Sequence, residues 1–204
     1  MMSCHRMPAP VRISDMAAQS FRDVLALRDL KWSARKITDS AQRILKQIPL
    51  RAGDRGLHVV DASSIVELAL WSLLLWERKV GRVALERLGV DPFELARDLD
   101  LLLTEKAQEH PVVYDQRRGI AVLAKTGDPY EMWDFELLLE PLLTRAEHEA
   151  LGLGHDYLGS EHLVLAITQM ASPRLSSLLL QNGVQYEAVK QTVIDILGGF
   201  RTAR

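Results

Sequence analysis

The chain has 204 residues, 48% of them apolar and 25% charged, with a formal net charge of −2. That is enough chain to bury a substantial core, and the charge balance gives no electrostatic case for a nucleic-acid partner. A lone cysteine, Cys4, excludes a disulfide within the chain, and the longest apolar run, Leu68 to Trp76, is half the length needed to span a bilayer. The N-terminus carries Arg6 and Arg12 but no apolar signal core, so a cytoplasmic protein with no membrane partner is expected.

Residues 1–20, with Pro8 and Pro10, are expected to form a flexible tail. The rest reads almost entirely as helix. Phe21, Val24, Leu25 and Leu27 or Leu30 fall at helical spacing and predict a first helix ending near Trp32. Thr38-Asp39-Ser40 supplies caps for a second, with Ala41, Ile44, Leu45 and Ile48 on one face and Pro49 as its stop. The polar stretch Arg51–Gly56 reads as a loop. Ser64-x-x-Glu67 has the form of a capping box that opens a helix running through Trp76. A short helix to Leu88 follows, closed by Gly89 in the left-handed region. Asp91-Pro92 pairs an N-cap carboxylate with proline at the first helical position, and opens a helix carrying Phe93, Leu95, Leu99 and Leu102.

Between His110 and Leu123 two short β-rich runs flank a polar turn, which predicts a β-hairpin, and Gly127-Asp128-Pro129-Tyr130 predicts a further turn. Leu137 to Ala150 is the next helix, with Pro141 either kinking it or marking its start. Ser160 is read as the cap of the helix that follows. Ser172-Pro173 repeats the cap-plus-proline start and opens a helix to Leu180, ended by Gly183. The last helix is expected to run from Tyr186 to Leu197, stopped by Gly198-Gly199, with residues 200–204 as a tail in which Arg201–Arg204 are expected to fray.

The grammar repeats. Glu67 and Glu161 lie 94 positions apart, as do Gly89 and Gly183. The same offset pairs Leu95 with Val189, Leu99 with Val193 and Leu102 with Ile196. One offset that aligns a carboxylate, a Gly-Val turn and an apolar stripe predicts two copies of one helical unit, over 36–103 and 135–199.

Within the second copy, Leu151-Gly152-Leu153-Gly154-His155-Asp156-Tyr157-Leu158-Gly159-Ser160-Glu161-His162-Leu163-Val164-Leu165 resembles the signature of the Clp N-terminal (Clp repeat) domain, L-G-H-x-x-(I/V)-G-T-E-H-(I/L)-L. Leu178–Val184 resembles that family's A-L-x-x-L-G-V segment, and Ala84–Val90 echoes it in the first copy. The resemblance implies an all-α fold of two tandem four-helix repeats: an N-terminal helix plus a divergent first repeat over 21–103, a connector over 104–134 that is longer than the family's, and a second repeat over 135–199. In that family the domain docks substrates and adaptors in front of Clp-type AAA+ unfoldases. The implied role is therefore a non-catalytic protein-binding module, an accessory or adaptor-type partner of a Clp protease or chaperone system. In bacterial relatives the Gly-Thr-Glu-His segment is associated with phosphorylated arginine on substrates; by resemblance Gly159, Ser160, Glu161 and His162 map onto it, with phosphoarginine-bearing proteins as implied partners.

The residues read alone agree in part. Gly159 allows a tight turn, and backbone donors at a helix start suit an anion, with Glu161 beside them for a guanidinium. In the first copy Ile65 and Val66 stand where Gly159 and Ser160 would be, so only Glu67 remains, as a weaker pseudo-equivalent. Trp71 and Trp76 read as packing residues. There is no G-x-x-x-x-G-K-(S/T), hence no ATPase motor, and no H-E-x-x-H or paired-cysteine motif. His155, Glu161 and His162 cluster in sequence, but Glu161 and His162 are neighbours on a helix and are expected to point apart, so structural histidines are expected. Ser160 and His155 lack the G-x-S-x-G elbow of a nucleophile. No catalytic residue, metal or cofactor is expected. Two alternatives stay open: a small hydrolytic or metal-dependent enzyme using His155, Glu161 and His162, and a repurposed module that binds a private partner through the 104–134 insert.

Overall fold

The computed structural model describes residues 36–57, 60–76, 78–109, 111–115, 117–118, 120–126 and 135–202. The expected tail, the helix over 21–32 and the turn at Gly127–Tyr130 lie outside the described residues.

A two-residue strand, β1 (Lys36–Ile37), leads into α1 (Asp39–Asp54). Thr38 caps α1, its Oγ1 accepting from the Ala41 N–H at 3.3 Å. Pro49 does not stop this helix, which runs on to Asp54 and takes in much of the expected loop. Proline removes one helical hydrogen bond, but Ile44, Ile48 and Ala52 form one i, i+4 row that is fully buried. Burying that row carries the helix across the break. Next comes α2 (Ala62–Trp76), apolar on nearly every side, with Ile65, Val66, Leu68, Ala69, Leu70, Leu73 and Leu74 all in the core. A helix buried all round belongs at the centre of the molecule.

Then come α3 (Val80–Arg87) and α4 (Pro92–Glu109). Asp91 caps α4 as expected, its Oδ1 accepting from the N–H groups of Phe93 (2.8 Å) and Glu94 (3.2 Å). The hairpin is present: β2 (Val112–Asp115) pairs antiparallel with β3 (Ile120–Leu123), Val112 opposite Leu123 and Asp115 opposite Ile120. The second set follows as α5 (Phe135–Gly152), β4 (Tyr157–Leu158), α6 (Ser160–Met170), α7 (Pro173–Gln181) and α8 (Tyr186–Thr202). Pro141 lies inside α5 and marks no start. Gly198-Gly199 does not stop α8, which continues to Thr202; about 1 kcal/mol per glycine weakens a helix without ending it. β4 pairs in parallel with β1, Lys36 beside Tyr157 and Ile37 beside Leu158.

The fold is all-α with short strand pairs, and the helices among the described residues fall into two quartets, α1–α4 and α5–α8. From the middle of the second helix onward the quartets match at the 94-residue offset to within one residue, the starts of α3 and α7 and the ends of α4 and α8 lying 93 apart. α2 and α6 end at Trp76 and Met170, α3 and α7 at Arg87 and Gln181, and α4 and α8 begin at Pro92 and Tyr186. The turn chemistry matches as well. Gly89 (φ 86°) and Gly183 (φ 71°) are both left-handed. Val90 N–H bonds to the Leu85 carbonyl (3.1 Å), and Val184 N–H to that of Leu179 (2.8 Å). Space around Gly89 is open, so Gly89→Ala tests the backbone alone. It is expected to lower the unfolding free energy by about 1–2 kcal/mol in a urea titration.

The quartets are not separate bodies. α2 packs on α6 at the centre, with α1 against α2 and α5 against α6, while α3 of the first quartet lies on α6 and α8 of the second. One core spans both. Among the described residues no single helix is long and apolar enough to cross a membrane.

The correspondence fails at the start of the second helix. α2 has 15 residues and α6 has 11. Glu67 is therefore the sixth residue of its helix, while Glu161 is the second of its own. One extra turn at the N-terminus of α2 separates the two carboxylates, and it decides their chemistry.

Candidate functional site

The N-cap of α6 is Gly159, not Ser160, with extended backbone (φ −115°, ψ 179°). Glycine has no side chain to cap with, and His162 takes over. Its ring turns back along the helix, and the Gly159 N–H donates to His162 Nδ1 at 2.9 Å. His162 N–H and Leu163 N–H bond to the Gly159 carbonyl, each at 3.2 Å. A backbone N–H can only donate, so Nδ1 accepts and the proton of the neutral ring sits on Nε2. That nitrogen faces His155 Nδ1 at 2.8 Å, so His162 is the donor and His155 the acceptor. His155 is placed by its own N–H, which bonds to the Ala150 carbonyl at the end of α5 (2.9 Å). Tyr157 stacks on the His155 ring at 5.0 Å and meets His162 edge-on at 5.5 Å.

Ser160 is the first residue of α6. Its hydroxyl accepts from the Gly81 N–H at 3.3 Å and donates to Glu161 Oε2 at 3.4 Å. That geometry gives it no nucleophile's contact with His155. The Glu161 carboxylate folds back over the helix start: a Cβ on Gly159 would stand 2.5 Å from each of its oxygens. The place where the helix dipole favours a negative charge is thus occupied by the helix's own acid. Ser160, Glu161 and His162 are all buried, His162 completely. α3 closes the end, since a Cβ on Gly81 would stand 2.5 Å from the Ser160 carbonyl oxygen.

Gly159, Ser160, Glu161 and His162 therefore come together, under cover. His155, Glu161 and His162 do not point apart as expected; one ligand atom from each lies within 4.8 Å of the others. The reason is capping: both Glu161 and His162 bend back toward Gly159. This convergence is poorly suited to metal chemistry. Coordination through His162 Nε2 moves its proton to Nδ1, into the Gly159 N–H, and breaks the cap.

The first copy is built differently. Ser64 and Glu67 do not form a capping box; both lie inside α2. Asp61 is the cap, its Oδ1 accepting from the Ser64 N–H and Ser64 Oγ at 2.7 Å each and from Ser63 Oγ at 2.8 Å. Counted from the helix start, Asp61 and Ala62, not Ile65 and Val66, stand where Gly159 and Ser160 do. Ile65 and Val66 are core residues. Glu67, one turn deeper, is fully buried, with Lys106 Nζ of α4 2.7 Å from its Oε2. Ser172 Oγ donates to Glu67 Oε1 at 3.1 Å, and the same hydroxyl caps α7 by accepting from the Leu175 N–H at 3.2 Å. Glu67 thus joins the quartets. Sequence reasoning missed Lys106 and read Ser172 only as a cap, not as a partner of Glu67; the signal was a lone acid in the middle of an apolar helix, which demands a partner. Trp71 packs as expected, buried beneath the guanidinium groups of Arg51 (5.2 Å) and Arg55 (4.2 Å). The side chain of Trp76 lies outside the described residues.

Burial pushes the Glu67 carboxyl above its ordinary value, more strongly than the Lys106 charge and the Ser172 bond pull it down. At Asp61 burial also pushes up, but the Ser64 and Ser63 hydrogen bonds and Lys106 outweigh it, and the net shift is downward. The folded chain holds the Glu67 proton more tightly than the unfolded chain. The stability this contributes is complete below the ordinary value of 4.5 and is lost as pH rises through the raised folded value. Glu67→Gln keeps a carbonyl for Ser172 and removes the titration. The wild-type chain is expected to gain stability relative to it on acidification, as read by urea unfolding across the range.

No family model matches the chain.

Proposed function

We propose that the chain is a non-catalytic protein-docking module of the Clp N-terminal type, an accessory or adaptor-type partner of a Clp protease or chaperone system. The observation that supports this reading best is the pair of helix quartets with matched ends, matched starts and matched Gly-Val turns. Such a body presents helix faces and the grooves between them, and buried His162 and Glu67 are engaged in capping α6 and in joining the two quartets. Within this reading a phosphorylated-arginine side chain would address the Gly159–His162 end, where Glu161 would have to turn aside to admit the phosphate and could then face the guanidinium.

The test is affinity capture with the tagged full chain from native lysate. Co-purification of a Clp-type unfoldase or its adaptors is the expected result; recovery of neither, with the chain folded and soluble, sinks the proposal. A second reading, a metal-dependent enzyme at His155, Glu161 and His162, is favoured by their convergence and opposed by the His162 tautomer. Zinc added to the pure chain is expected not to raise its thermal midpoint. A rise that depends on His162 would restore the metal site.

A further inference from the structure

α4 and α7 belong to different quartets, and an open groove of about 690 Å³ runs between them. Its α4 wall presents Asp98, Leu101, Leu102 and Glu105, the i, i+3, i+4, i+7 positions of one helix face; Arg174 and Leu178 stand on the α7 wall. Leu101 is 63% exposed, although α4 already fills the core with Leu95, Leu99 and Leu103. The fold has no use for it, and it sits on a concave wall.

Charge says what the groove fits. The α4 rim carries the carboxylates of Asp98, Glu105 and, one turn further, Glu109. Facing them is Arg174, 3.4 Å from Glu105 and 3.9 Å from Glu109, with all three side chains more than half exposed. Asp98, about a third exposed, stands 3.6 Å from Arg97. Exposed pairs of this kind contribute little and exchange readily with an incoming cation. Asp98 and Glu105 are seven residues apart on the helix, which sets their separation at about 10 Å.

We infer that this groove docks a basic amphipathic segment of another protein. An apolar side chain of that segment lies on Leu101, Leu102 and Leu178, and two Lys or Arg side chains about 10 Å apart pair with the α4 rim. That spacing means cations seven positions apart in a helical ligand. The groove is anchored from inside: Ser172, which Glu67 holds, caps the helix that forms its α7 wall. The inference deepens the docking proposal and rests on it for its biological use; the binding itself is tested separately.

The experiment is a nuclear magnetic resonance titration of the labelled full chain with a short leucine–lysine helical peptide whose lysines are seven positions apart. A matched peptide with glutamate for lysine is the control. Amide shifts centred on Leu101, Leu102 and Leu178, produced by the lysine peptide alone, are expected. Glu105→Lys is expected to weaken that peptide by about tenfold or more and to admit the glutamate peptide. Leu101→Ser should weaken the lysine peptide, and as an exposed change it leaves the fold intact. Shifts centred on Gly159–His162, equal binding of the two peptides, or a Glu105→Lys chain that binds unchanged would each overturn the inference. Capture of an unfoldase together with a failed titration keeps the docking proposal and removes the groove; a successful titration with no Clp component captured does the reverse.

Discussion

Gly81→Ala is expected to destabilise the chain by about 3 kcal/mol or more, at or beyond the upper end of ordinary overpacking. The new Cβ would stand 2.5 Å from the Ser160 carbonyl oxygen and 3.0 Å from its carbon, and both are backbone atoms. No rotamer change relieves such a clash. α3 has to move off the start of α6, which breaks the bond from the Gly81 N–H to Ser160 Oγ and loosens the cover over Glu161. Gly53→Ala is the control. Gly53 is also helical, and a Cβ there meets nothing within 4 Å, so that change is expected to be neutral or to stabilise by up to about 1 kcal/mol. Urea unfolding of the two variants measures the contrast. A loss below about 1 kcal/mol for Gly81→Ala would show that α3 slides freely on α6, contrary to the packing described above.

His162→Ala is expected to cost about 3–5 kcal/mol, in line with the truncation of a large buried ring. The Gly159 N–H is left buried without its acceptor, an effect of about 1–3 kcal/mol in its own right. His155, which is less buried and receives one hydrogen bond from His162, should be cheaper to replace: His155→Gln is expected to cost about 1 kcal/mol. Ring-nitrogen resonances of the wild-type chain give a direct check, because the structure requires His162 to carry its proton on Nε2. A proton on Nδ1 would contradict the cap and would reopen the case for a metal at this end of the helix.

Repetition at one offset announced the matched ends of the helices, because apolar stripes and Gly-Val turns are local signals of helix length and termination. Asp91-Pro92 and Ser172-Pro173 were legible for the same reason: a cap acts within its own turn. The errors fell where a local signal was outweighed from elsewhere. Pro49 and Gly198-Gly199 are breakers in isolation, but α1 continues through the first because Ala52 is buried along with Ile48. The Ser64-x-x-Glu67 pattern fits a capping box by spacing, yet Asp61 made the cap and left Glu67 free to enter the core.

The order of helices, their pairing into two like quartets, the hairpin between them and the segment that forms the start of α6 were all determined by the sequence alone, because each rests on period, caps and turns within a few residues. Which acid meets which cation was decided only by the tertiary structure. One additional turn in α2 turns Glu67 inward to Lys106 and Ser172, while Glu161 folds back over Gly159 at its own helix start. That difference cannot be read from an offset of 94, because a buried charge is placed by partners on other helices, and those partners are fixed only when the two quartets close on a single core.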